Sequence, residues 1–115
     1  MPTLRIGQTI KLRPEHEAEY LKIHRAVWPS VLSRIAASNI HDYSIFYDRT
    51  AHLLFATFKY TGDDFDADMA AMAADPETQR WWKETDGMQE SLNEGSVGSK
   101  EGGWWRVLEE VFYVE

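Results

Sequence analysis

Tyr20, His24 and Trp28 sit one helical turn apart, so a phenol, an imidazole and an indole fall along one line of a helix. That line borders an apolar stripe through Tyr20, Ile23, Val27, Val31 and Ile35, whose spacing predicts a long amphipathic helix from Glu15 to Ile35. His24 carries the chemistry of interest, because an imidazole gives and takes a proton near neutral pH. Each of the three residues alone is an ordinary half-buried side chain. Together they outline an edge where the helix could border a cavity.

The rest of the chain adds phenols and two adjacent tryptophan pairs, Trp81-Trp82 and Trp104-Trp105. Such a set suits a pyranose, whose C–H faces lie on indole rings while its hydroxyls meet Tyr, His or carboxylate groups. Neighbours on a helix face apart, so one of Trp81 and Trp82 is expected at the ligand and the other in the core. Metal motifs are missing: His16 and His24 could share a face but lack a third ligand, and no metal is expected. His52 reads as a loop-edge polar residue, and His41 divides evenly between that and a role. No glycine-rich phosphate cradle follows a strand, so no nucleotide cofactor is expected. Asp63, Asp64, Asp66 and Asp68 read as a helix cap and a solvated face.

A chain of 115 residues, 43% hydrophobic, has room for one domain with a core, read here as 1–115. Its formal charge of −7, from 19 acidic against 12 basic residues, argues against nucleic acid or an anionic membrane as partner. No apolar run is long enough to span a bilayer, and MPTLRIGQTIK lacks the apolar stretch of a secretory signal, so a cytoplasmic protein is expected. With no cysteine there is neither disulfide nor thiolate chemistry.

The elements that must position these residues follow in order. Ile6, Ile10 and Leu12 predict a first strand, closed by Arg13-Pro14. Pro14, Glu15 and Glu17 form a good helix entry, and Pro29 must kink or restart the helix, which Ser38-Asn39 ends. HDYSIFYD and LLFATFKY predict a hairpin with Tyr43, Ile45 and Tyr47 on one face. Their near-continuous hydrophobicity implies cover on both sheet faces. Helices follow after Asp64 and at Asp75-Pro76, the second shorter and carrying Trp81 and Trp82. Residues 89–103 read as a long surface loop, and WWRVLEEVFYVE as a final strand. This order gives an α+β, ferredoxin-like fold: a four-stranded antiparallel sheet with both helices on one face. The other face, left aromatic, calls for a ligand or a second subunit.

Four stretches in order, YLKIHRAVWP, HDYSIFYD running into LLFATF, RWW and EEVFYV, resemble the L-rhamnose mutarotase family over nearly the whole chain. The resemblance implies a ferredoxin-like homodimer that interconverts the α and β anomers of L-rhamnose or a closely related pyranose without a cofactor. It implies His24 as proton donor, with Tyr20, Tyr43, Trp81 and Trp82 lining the sugar site. The stretch KETDGM and the long loop ending in Trp104-Trp105 depart from the family pattern.

The chemistry is coherent on its own terms. Mutarotation protonates the ring oxygen and deprotonates the anomeric hydroxyl, and the reverse step exchanges acid and base, which suits a group titrating near neutrality. The proton acceptor stays open among Tyr20, a water and Asp86. The alternatives are a small dimeric oxygenase or heme-handling protein with His24 as an axial ligand, and a binding module without catalysis.

Overall fold

The computed structural model of the protein describes residues 3–115. β1 (Leu4–Leu12) runs through the middle of the sheet, and a single 3-10 turn (Pro14–His16) leads from it into α1 (Glu17–His24). Pro14 starts that turn, where its missing N–H costs nothing, and Glu17 and Glu19 sit at the positive end of α1. α2 (Pro29–Ala37) begins at the second proline. The predicted long helix is therefore two helices, because Pro29 cannot donate to the carbonyl one turn back. Val31 N–H and Leu32 N–H bond to the Trp28 carbonyl instead, at 3.0 and 3.1 Å.

β2 (Ile40–Asp48) and β3 (Leu53–Tyr60) form the expected hairpin, and β3 pairs with β1 along its whole length. α3 (Phe65–Ala74) and α4 (Pro76–Asp86) follow, capped by Asp64, which accepts from Ala67 N–H at 3.0 Å, and Asp75, which accepts from Thr78 N–H at 2.9 Å. The second of these helices has 11 residues against 10, so it is not the shorter one. All pairings are antiparallel, in the order β2-β3-β1-β4, where β4 is the short piece Gln89–Glu90, while β5 (Arg106–Val107) also pairs with β1.

The predicted final strand is thus mostly absent. Arg106–Val107 pairs with β1, Leu108 N–H bonds to the Gly7 carbonyl at 2.8 Å, and residues 109–115 are exposed outside the sheet. This stretch crosses the sheet face away from the helices, where the Arg5 guanidinium lies 3.4 Å from the centre of the Tyr113 ring. Residues 89–103 also depart from a plain surface loop: Gln89 and Gly98 are buried. The turn back to β5 passes through Gly102 and Gly103, both with left-handed φ of 82° and 70°.

The core clusters Ile10, Leu12 and Leu54 of the sheet with Tyr20 of α1 and Met88, so the helices cover one sheet face. On that face the hairpin contains a bulge. His41 opposes Lys59 and Ser44 opposes Thr57, which leaves Asp42 and Tyr43 facing the single residue Phe58. Asp42 takes a left-handed φ of 50° and pairs with Lys59 at 3.1 Å. The extra residue shifts the alternation by one, so that Ile40 on one side of the bulge and Tyr43, Ile45 and Tyr47 on the other all face the helices. The bulge is what aims Tyr43.

Candidate active site

A cavity of about 260 Å³ lies between the sheet and α1, α2 and α4. Tyr20, His24, Tyr43, Trp81 and Trp82, the five residues singled out from the sequence, all line it. α1 supplies Tyr20 and His24, whose rings stack with centres 4.1 Å apart. α4 supplies both tryptophans, and both border the cavity. Trp81, nearly buried, sets its edge against His24 with centres 5.3 Å apart, while Trp82 is half-buried. Both can reach the cavity because α4 presents its side to it, and Thr85, one turn on from Trp81 and Trp82, lines it too.

Trp28 is a correction. It is not a wall of the cavity, because the break before Pro29 takes it off the line of Tyr20 and His24. It stands behind Trp81 at 5.2 Å, with the Arg80 guanidinium 5.3 Å from its own ring. Asp86, one of the open choices for proton acceptor, is also outside the cavity. Its carboxylate accepts from Ser99 N–H at 2.9 Å and Ser99 Oγ at 2.6 Å, which ties the loop to the end of α4. His41, exposed, lies 3.0 Å from Thr61 Oγ1, and His52 lies 3.2 Å from the Tyr47 hydroxyl, both away from the cavity.

The polar groups in the cavity have defined protonation. Nδ1 of His24 is 2.7 Å from the Tyr20 carbonyl. A carbonyl only accepts, so Nδ1 carries the proton and Nε2 of the neutral ring holds the lone pair. Burial lowers the His24 pKa below its ordinary 6.5, although the bond to the Tyr20 carbonyl opposes the shift. Burial, helped by the nearby Tyr43 phenol, lifts the Tyr20 pKa far above its usual range, against the pull of a hydrogen bond from Gln89. Tyr43 is pushed up to about 12 by desolvation. At pH 7 the cavity therefore holds one neutral imidazole and two undissociated phenols.

Trp105, from the second tryptophan pair noted in the sequence, joins the lining, as do Gln89 and Ser99, which sequence reasoning did not single out. They belong to a polar, glycine-rich stretch that carries no periodicity, and only the apolar Met88 beside it hinted at a buried strand. The volume falls below the roughly 300–1,000 Å³ of sites for drug-sized ligands, which leaves room for one small ring. Fold and site together define an α+β protein with an aromatic cavity of single-ring size, furnished for proton transfer.

A sequence profile of the L-rhamnose mutarotase family matches residues 5–114. A protein named L-rhamnose mutarotase from Yersinia pestis is 32% identical over 112 residues, covering 97% of this chain and 99% of its own. Another of that name from Phocaeicola vulgatus is 38% identical over 71 residues, 62% of this chain and 65% of its own. The crystal structure of L-rhamnose mutarotase FA22100 from Formosa agariphila superposes with a TM-score of 0.75 at 26% identity, covering 97% of this chain and 99% of that one. The chain belongs to the L-rhamnose mutarotase family. The heme-handling alternative gains no support from these relatives.

Proposed function

We propose that the cavity opens and recloses the ring of L-rhamnose, with His24 as the proton-transfer residue and Tyr20 as the donor to the ring oxygen. The observation that carries this reading is the tautomer of His24: with Nδ1–H held by the Tyr20 carbonyl, Nε2 is, among the described residues, the one basic nitrogen available in a cavity walled by aromatic rings. In opening, Nε2 takes the proton of the anomeric hydroxyl, the bond from the anomeric carbon to the ring oxygen breaks, and the Tyr20 hydroxyl delivers its proton to that oxygen. The aldehyde turns about its bond to the neighbouring carbon. Reclosure reverses both transfers on the other face, so the imidazolium is the proton donor to the new anomeric hydroxyl and Tyr20 regains its proton. Both residues end as they began, and no cofactor is called for.

Tyr43 is assigned to a sugar hydroxyl, and Trp81 and Trp82 to the apolar faces of the ring. Saturation-transfer NMR between the two anomeric proton signals of L-rhamnose tests the reading. Exchange clearly faster than in buffer is expected; a rate equal to buffer for rhamnose and its close stereoisomers would overturn it.

The reading extends to one ferredoxin-like domain over 1–115, working as a cytoplasmic homodimer. The strand order β2-β3-β1-β4 with helices on one face supports the first. Among the described residues no helix is long and apolar enough to cross a membrane. The dimer is supported by apolar side chains on the far sheet face and on the C-terminal stretch: Phe46 is 62% exposed, Val111 85% and Phe112 78%. A second copy that pairs with this stretch would cover them. Sedimentation at micromolar concentration should show one dimeric species, and a monomer would defeat that part of the reading.

A further inference from the structure

Gln89 joins the atypical loop to the cavity. It is 3% exposed, and both ends of its amide are bonded. The Trp104 indole N–H donates to Oε1 at 2.9 Å, and Nε2 donates to the Tyr20 hydroxyl at 3.1 Å. An indole nitrogen can only donate, so the amide oxygen must face Trp104 and the amide NH₂ must face Tyr20. A phenol oxygen that accepts from an NH₂ group keeps its own proton to give elsewhere.

The indole is itself held in place. Ser91 Oγ donates to the Trp104 carbonyl at 2.6 Å, and Asn93 Nδ2 donates to the carbonyls of Gly103 at 2.7 Å and Trp105 at 3.2 Å. These bonds close the loop on itself beside β4. Among the described residues, no carboxylate hydrogen-bonds the Tyr20 oxygen, where it would have engaged the phenolic O–H.

We propose that Gln89, oriented by Trp104, is a positioning residue that makes the Tyr20 hydroxyl a hydrogen-bond donor to the ring oxygen of the sugar. The inference rests on the mutarotase reading and adds to it the source of Tyr20's direction. It also gives the loop a role: its tryptophan sets the direction of a hydrogen-bond chain from Trp104 through Gln89 to Tyr20 and on to the sugar.

Gln89→Glu tests this with almost no change of shape. An ionised Glu accepts from both Trp104 and Tyr20, so the phenol points its proton at residue 89 and away from the sugar. Exchange per folded molecule at pH 8 should fall about 10²-fold, the scale for losing one preorganised donor. Lowering the pH protonates the buried carboxyl, which can then donate to Tyr20 as the amide does, so the ratio of variant to wild-type rate should climb toward acid. In a Tyr20→Phe background the same substitution should cost nothing further. A wild-type rate for Gln89→Glu, a loss indifferent to pH, or an equal loss in the Tyr20→Phe background would each overturn the proposal. Should Gln89→Glu fail to fold, Trp104→Phe removes the orienting N–H and keeps an aromatic ring. Its loss of about tenfold should vanish in the Tyr20→Phe background, and persistence there would count against the proposal. Wild-type protein that exchanges no anomers would defeat the mutarotase reading itself. Wild-type exchange that Tyr20→Phe weakens and Gln89→Glu leaves intact would defeat only the role of Gln89.

Discussion

Two tyrosine–histidine pairs flank α1, and Tyr20 and His24 are the pair that lines the aromatic cavity. At the start of the helix, the Tyr47 hydroxyl donates to Glu17, accepts from Nδ1–H of His52, and has Arg49 on the same carboxylate at 2.7 Å. At the end of the helix, the Tyr20 hydroxyl accepts from an amide, and Nδ1–H of His24 donates to a backbone carbonyl. The residue types are the same and the protons are placed differently. At Tyr47 the phenolic O–H is engaged as donor to the carboxylate of Glu17, and at Tyr60 to that of Asp68. With neutral partners, the Tyr20 O–H stays free to donate and His24 keeps a free lone pair. The first arrangement pins the hairpin to the helix, and the second can move protons.

The sharpest way to break this contrast is to delete each imidazole. His24→Ala should lose about 10²–10⁴-fold in anomer exchange per folded molecule. His52→Ala should leave that rate unchanged, read by saturation-transfer NMR beside a melting curve. Equal losses from the two would mean that the placement of protons is not what separates the sites. Next in size come the phenols. Tyr20→Phe should slow exchange by about 10²–10³-fold with little change in melting, since the ring is kept. Tyr47→Phe should spare the rate and cost about 1–2 kcal/mol of stability, seen by denaturant unfolding, because a bond to a charged group is lost.

A pH series sharpens the comparison further. Burial lowers the folded-state pKa of His24, so the imidazole stays neutral below its ordinary 6.5. Exchange should hold its plateau as pH falls through 6.5 and drop only on passing the lowered pKa. The unfolded chain takes up that proton first, so the stability owed to His24 is complete above about 6.5 and is lost as pH falls toward the folded value. The smallest effect belongs to Arg49→Ala. Arg49 is two-thirds exposed, and its pair with Glu17 should contribute no more than about 1 kcal/mol, with exchange untouched.

Much of this was readable from residue order. The helix entry at Pro14, the hairpin of Ile40–Asp48 and Leu53–Tyr60, and the caps at Asp64 and Asp75 follow from local chemistry that acts within a few residues. The five residues chosen for the site converge on one cavity, because helical spacing and strand alternation carry side chains to predictable faces. Trp28 escaped that logic, since a proline one residue later changes the direction of the chain. The C-terminal stretch escaped it differently: its alternation is that of a strand, but alternation does not name a partner, and within one chain only its first residues find one.

By itself, then, the sequence determined which side chains share a face and which groups are available to carry protons, since both depend on short-range spacing and residue type. Tertiary structure alone decided where those protons reside. Gln89 meets Tyr20 from 69 positions away and Trp104 from 15, and the Asp42 bulge turns Tyr43 toward the helices. The direction of a hydrogen bond and the depth of a pKa shift are properties of neighbours packed in space, and no local pattern in the chain records them.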